Sequence, residues 1–266
     1  MKKKSKIRYI FEGIFNNFNE CYKKNKNCFY KDKDYEKKQK EIIKSITKNL
    51  VSKKPIIPFY KQHTQHLINS LSLIKKSKVN ILDVGGGWGI GYANCVEAFD
   101  KKKLSNINYN IFDLTNICNL GKKYFKKKIK ISNKNLNYYS DLNELKKMKF
   151  DIIFFGSSLQ YFKDPFETLK YFSNFNCSYI IFIDTYLVKS KSFFTLQKYY
   201  ESSVPHSFLN ENNFLKIFRK RFDLVLKSYS HTSRLDKIGT ISMNNFPTKY
   251  RLDNSFNLIF INNNYG

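Results

Sequence analysis

One segment of this 266-residue chain narrows its chemistry more than any other: Ile81-Leu82-Asp83-Val84-Gly85-Gly86-Gly87-Trp88-Gly89-Ile90-Gly91, a hydrophobic run that ends in an acid and passes straight into glycines. Glycine lacks a Cβ, so it adopts positive φ and lets a ligand lie against bare main chain. A helix that starts just after such a turn directs unpaired N–H groups and the positive end of its dipole at an anion. The dinucleotide spacing G-x-G-x-x-G fails here, because its third glycine would fall on Ile90, Tyr92 or Asn94. Asp83, Gly85, Gly87 and Gly89 spell D-x-G-x-G-x-G instead. A second acid is expected at the end of the next strand, where it would accept hydrogen bonds from a ribose. Asp113, which closes the run Tyr109 to Phe112, meets that requirement; its alternative is to cap the following helix.

Open α/β sheets bind ligands beyond the carboxyl ends of their strands. That nominates the loops after Phe155 and Ile183, and within them Ser158, Gln160, Tyr161 and Asp184, as pocket residues. His206, in Val204-Pro205-His206-Ser207, is the histidine nominated as a general base beside Tyr161, against the alternative of a surface-loop histidine. His63 and His66 stand three apart in a helical segment with no third ligand in sight, so no metal is expected. Trp88 is expected to pack structurally.

The elements that must position these groups follow from periodicity. Short apolar runs at Val79–Val84, Ile107–Phe112, Leu136–Tyr139, Phe150–Phe155, Tyr179–Ile183, Leu224–Tyr229 and Asn257–Asn262 alternate with helix-length stretches. Such alternation predicts a mostly parallel seven-stranded sheet with helices on both faces, a Rossmann-like α/β fold over residues 76–266. Asp164, Pro165 and Glu167 supply an N-cap, an N1 proline and an N3 acid for the helix carrying Leu169 and Phe172. Residues 1–75 read as a helical extension, with Pro55 and Pro58 ahead of a segment from Tyr60 to Ile74 whose Leu67, Leu71 and Ile74 form a helical stripe. The run Lys31 to Lys44 reads as a solvated helix face.

The formal net charge is +27, yet only five of the 48 basic residues are arginines. Planar recognition of phosphate and guanine favours arginine, so the charge is a weak sign of nucleic acid. Together with abundant Asn, Ile, Phe and Tyr it fits the codon bias of an A+T-rich genome, the alternatives being an anionic ligand or peripheral contact with a membrane surface. Five scattered cysteines without a C-x-x-C pair suit a reducing cytoplasm. No apolar span follows the basic start, so a cytoplasmic location is expected.

The D-x-G-x-G-x-G loop resembles the first motif of class I S-adenosylmethionine-dependent methyltransferases, in which this loop holds the methionine end of the cofactor. Asp151 to Tyr161 followed by Asp164-Pro165 resembles the fourth-strand region of a bacterial family of methyltransferases often found with surface-polysaccharide genes. The start Phe11-Glu12-Gly13 to Glu20, the strand ending at Asp184 and the stretch Gln197 to Pro205 leading into a helix are further matches. The resemblance implies S-adenosyl-L-methionine as cofactor, held by Asp83, Gly85, Gly86, Gly87, Gly89, Asp113, Gly156 and Ser157. It also implies that the turn at Asp141 flanks the adenine, unless Asp141 caps the helix Leu142 to Lys147. A small-molecule or glycan acceptor would meet Ser158, Gln160, Asp184 and Gln197. One departure stands out, since an arginine expected after the fifth strand is replaced by Asp184-Thr185-Tyr186. Two rival readings remain: an RNA or DNA methyltransferase, although Gly156-Ser157-Ser158-Leu159 lacks the Asn/Asp-Pro-Pro-aromatic motif of amino-group modifiers, and a non-catalytic ligand-binding protein on the same fold.

Overall fold

The computed structural model describes residues 9–25, 33–56, 63–129, 133–199, 202–230, 233–234, 237–238 and 241–265; Cys28, Pro58 and Tyr60 lie outside them. The described residues open with a strand, Phe11–Phe15 (β1), followed by the helices Phe18–Lys24 (α1), Lys33–Val51 (α2) and Gln65–Leu73 (α3). Strands and helices then alternate through Val79–Val84 (β2), Ile90–Ala98 (α4), Lys101–Ser105 (α5), Ile107–Phe112 (β3), Thr115–Leu120 (α6, continued by a π-helical turn Gly121–Lys126), Leu136–Tyr139 (β4), Leu142–Leu145 (α7), Ile152–Gly156 (β5), Pro165–Ser173 (α8) and Tyr179–Thr185 (β6). The last third holds Leu187–Val188 (β7), Phe193–Tyr199 (β8), Ser202–Asn210 (β9), Glu211–Phe218 (α9), Phe222–Tyr229 (β10), the short pair Ser233–Arg234 (β11) and Lys237–Ile238 (β12), and Phe256–Asn262 (β13).

Seven strands form the main sheet in the order β10-β13-β6-β5-β2-β3-β4. The five from β4 to β6 are parallel, and β13 runs antiparallel to both β6 and β10. Each strand read from the sequence is present, its ends shifted by at most two residues. The reason is burial on both faces: alternate residues feed two separate cores. Ile81, Tyr109, Ile152, Phe154 and Ile181 face the core shared with α2, α3 and α4, while Leu82, Val84, Ile153, Phe155, Phe182 and Phe260 face the core shared with α8 and α9. Strands buried on both sides have no polar face and read as unbroken apolar runs. Asp164 caps α8 as expected, accepting from the Glu167 N–H at 3.1 Å with Pro165 in the first turn.

A second sheet, β1-β8-β9-β7, was not visible in the local pattern. The amino-terminal segment is therefore not helical throughout: β1 pairs antiparallel with β8, Phe11 opposite Gln197 and Phe15 opposite Phe194. The stretch Gln197 to Pro205 is likewise part of a β8–β9 pairing before α9 begins. Pro205 is tolerated in β9 because β7 pairs only with Leu209 and Asn210, well past it. Phe11, Tyr186, Val188, Phe193 and Phe208 make the core of this sheet with Ile241, Met243 and Phe246. It lies against the carboxyl ends of the main strands, where the Ser207 hydroxyl donates to the Gln160 carbonyl at 3.3 Å.

Phe11 is fully buried and meets Tyr186, His206 and Phe208 edge-on. Phe11→Ala should lower the unfolding free energy by about 3–5 kcal/mol in urea denaturation, whereas a loss below about 1 kcal/mol would show that β1 is not part of this core.

Candidate active site

The parallel order reverses at β2, which has β3 on one side and β5 on the other. Such a switch point opens a crevice at the carboxyl ends of the strands. The glycine loop leaves β2 there, with Gly85, Gly87 and Gly89 at φ of +71°, +64° and +114°. The glycines do different things. A Cβ at Gly86 would fall 2.5 Å from the Asp83 carboxyl carbon, one at Gly91 2.1 Å from the Tyr109 hydroxyl, and one at Gly85 2.5 Å from the Ser158 Cβ. At Gly89 it would press on Phe125 and Tyr138. Gly87 differs, because apart from its two chain neighbours no heavy atom of the described residues lies within 4 Å of its Cβ position. The loop is thus packed from beneath and bare at one point.

Asp83 is buried below this loop, not open to a ligand. Its carboxylate accepts from the Tyr109 hydroxyl at 2.6 Å, and burial pushes its pKa up to about 7 despite that bond. The Tyr138 hydroxyl donates to the Trp88 carbonyl at 2.7 Å, and the Phe125 ring, on the π-helical turn, meets Trp88 edge-on. The Trp88 indole N–H donates to Gln39 on α2 at 3.0 Å, so the amino-terminal helices also brace the loop. Tyr109, Tyr138, Phe125 and Gln39 were not foreseen; alternation within β3 and β4 could have exposed the two tyrosines, but nothing local marks the other two.

Asp113 and the loop are brought together. One carboxylate oxygen accepts from the Gly87 N–H at 2.8 Å, the other from the Leu114 N–H at 2.7 Å, and burial raises its pKa to about 6. Asp141 is exposed and caps α7, accepting from the Asn143 N–H at 2.9 Å, so the capping alternative describes its contacts. Ser158 is buried against the loop, its hydroxyl donating to the Val84 carbonyl, which makes it a support of the turn rather than a wall of an open pocket.

At the ends of β5 and β6, Ser157 and Asp184 both hold positive φ, +60° and +56°, a costly backbone state for residues with side chains. Their side chains meet. The Ser157 hydroxyl donates to Asp184 at 2.8 Å, the Ser255 hydroxyl donates to the other carboxylate oxygen, and the Asp184 N–H donates to Asn257 at 3.2 Å. An aspartate here, where the resembling family has arginine nearby, thus ties β6 to β5 and β13. Gly156, one residue earlier, carries the backbone of His63 3.6 Å from its Cβ position. Gln160 donates to Ser157, and the Tyr161 hydroxyl donates to Gln197 of the second sheet at 2.8 Å.

His206 corrects the alternative of a surface loop: it lies on β9, fully buried, its ring edge-on to Tyr186 at 4.3 Å and to Tyr161 at 5.6 Å. Burial drives its pKa down to about 3 against the opposing pull of Asp184. At that value it is neutral and no base toward a resting hydroxyl. His66 is half-buried, and burial lowers its pKa. Among the described residues no group of three His, Cys, Asp or Glu side chains is placed to hold a metal ion.

No protein-family model and no curated protein matches the chain. Solved structures resemble it at low identity. An S-adenosylmethionine-dependent methyltransferase from Clostridium acetobutylicum is 14% identical, with 82% of this chain and 96% of that one covered and a TM-score of 0.46. Magnesium protoporphyrin IX methyltransferase from Synechocystis with SAH bound is 9% identical over 76% and 83%, with a TM-score of 0.49. The N-terminal domain of EvdMO1, crystallised with SAH and D-fucose, is 9% identical over 79% and 84%, with a TM-score of 0.49. Likenesses of this size carry nothing about what this chain binds.

Asp83 gives the site a measurable signature. Its pKa is raised above the unfolded value, so the stability it contributes is complete below about pH 4 and is lost as pH rises through about 7. Asp83→Asn, which keeps an oxygen for Tyr109, should flatten the fall in thermal midpoint between pH 5 and pH 8; an unchanged slope would mean that Asp83 does not titrate there.

Proposed function

We propose that this chain is an S-adenosyl-L-methionine-dependent methyltransferase acting on a small molecule or a sugar. The observation that carries the proposal is the bare main chain at Gly87, at the switch point of the sheet, with the Asp113 carboxylate 2.8 Å from its N–H. The donor set suits the cofactor. The N–H groups that open α4 would take the methionine carboxylate. Asp113 keeps lone pairs beyond those used by Gly87 and Leu114, enough to accept from ribose hydroxyls. Gly156 and Ser157 would border the transferring end, and the turn at Asp141 the adenine. Bound there, the cofactor supplies the methyl group on a sulfonium, and the chain's part is to bind, align and keep water out. Gln160, Asp184 and Gln197 stand on the acceptor side, with Tyr161 and His206 as the candidates for contact with the reacting group.

The run Gly156 to Pro165 supports a role in surface-polysaccharide O-methylation; a deletion strain whose glycan keeps all its methyl groups would count against it. The charge of +27 favours a second reading, methylation of RNA or DNA, whose signature would be retention on RNA that falls steeply with salt. A catalytically silent protein on this fold would bind the cofactor without turning it over.

Titration calorimetry should show S-adenosylmethionine and S-adenosylhomocysteine binding to the wild type. Gly87→Arg, which puts a side chain into the open space at positive φ, should weaken both by more than about 100-fold without unfolding the chain. Equal affinity in the variant refutes this placement of the cofactor.

A further inference from the structure

Between the carboxyl ends of β5 and β6 and the second sheet lies a group of buried polar atoms whose hydrogen bonding the fold leaves incomplete. Gln160 is buried with its amide orientation set by its neighbours: Nε2 donates to the carbonyl and the hydroxyl oxygen of Ser157, both at 3.0 Å, and that hydroxyl donates onward to Asp184. Its Oε1 has no donor among the described residues. His206, enclosed by the rings of Phe11, Tyr161, Tyr186 and Phe208, has no hydrogen-bond partner among the described residues on either ring nitrogen. The two residues share one neighbourhood, since Tyr161 packs on the imidazole and Ser207 bonds the Gln160 carbonyl. Buried donors and acceptors left unpaired are costly, so a cluster of them calls for a partner from outside the chain, water or ligand.

The chemistry of that occupant can be read from what is missing. A neutral imidazole offers one N–H and one lone pair, and Gln160 Oε1 adds a second acceptor, so the absent partner must both donate and accept. A hydroxyl does both. Charge narrows it further: His206 is neutral, and the Asp184 carboxylate beside it repels an anion. Each Asp184 oxygen accepts from a serine hydroxyl, so an ammonium there would compete with the bonds that tie β6 to β5 and β13.

We propose that this buried polar cluster takes the uncharged, hydroxyl-bearing part of the methyl acceptor, held by Gln160 Oε1 and His206, and that the methyl group is transferred to oxygen. The assignment rests on the methyltransferase reading above. In the transfer the acceptor oxygen bonds to the methyl carbon as the carbon–sulfur bond breaks, leaving its electron pair on sulfur. The acceptor oxygen becomes strongly acidic as it gains the methyl group, so even a weakly basic buried imidazole can take the hydroxyl proton. Asp184 stabilises the cation that forms, and the proton then returns to solvent.

The test uses the full chain, S-adenosylmethionine carrying a radioactive methyl group, and the methanol-soluble extract of the cells that make the protein. Labelled products are treated with phosphatase and then sorted by chemistry. Label in alkali-stable ethers of neutral compounds is expected. Label released by alkali as methanol (a carboxyl ester), label retained on cation exchanger (a methylated amine), label in protein or nucleic acid, or no label despite tight cofactor binding would each overturn the inference. Failure to bind S-adenosylmethionine in calorimetry would instead overturn the methyltransferase reading itself. Gln160→Leu and His206→Phe should keep cofactor affinity within about twofold and cut labelling by about 10- to 100-fold. Because His206→Phe removes two unpaired polar atoms, its thermal midpoint without acceptor should hold or rise. A clear fall in that midpoint with undiminished labelling in Gln160→Leu would mark these atoms as sites of structural water only.

Discussion

A buried carboxylate sets the shape of the glycine loop. Asp83 sits under the turn that leaves β2, and taking such a charge out of water is expensive unless hydrogen bonds replace the lost hydration or a proton neutralises it. Tyr109 supplies one bond, and the raised pKa records how much of the cost remains. The carboxyl group needs the volume that side chains at 86 and 91 would occupy, so those positions are glycine for the sake of Asp83. Ser158 makes the same demand at 85, and Phe125 with Tyr138 at 89. Clamped on these sides, the turn has little freedom left, and Gly87 is its one glycine that no described residue beyond its chain neighbours crowds. Preorganisation of this kind means that a ligand pays little to order the loop.

The ends of β5 and β6 depend on contacts that join distant parts of the chain. Ser157 and Asp184 end adjacent strands in the same sparsely populated backbone region, and each is held there by the other's side chain and by Ser255 and Asn257 near and on β13. Over them lies a sheet assembled from the amino-terminal strand and a later pair, whose aromatic core encloses His206. Strain, an imidazole and an amide oxygen, both unpaired among the described residues, sit close together, the kind of concentration that stability alone would remove.

The legible parts of this structure were those whose signal is local. A strand covered on both faces must be apolar at every position, so Ile152–Gly156 and Tyr179–Thr185 stand out without knowledge of their partners. The N-cap, proline and acid before α8 act within one turn. Positive φ at three alternate glycines is a property of the turn itself. The second sheet carries no such signal, because Phe11–Phe15 becomes a strand only by pairing with residues near 195, and its lysine-rich surroundings suggest helix. Whether Asp141 caps a helix or faces a ligand, and whether Ser158 lines a pocket or props a turn, depends on where side chains point once the layers pack.

By itself the sequence determined the alternation of strand and helix, the glycine turn at the end of β2 and the acid at the end of β3, because each is enforced over a few neighbouring residues by sterics, capping or burial. Only the tertiary structure decided that Asp83 supports the loop instead of facing a ligand, that Gly87 is its open point, and that His206 is enclosed and uncharged. Those outcomes turn on desolvation and on contacts between residues far apart in the chain, which no local pattern encodes.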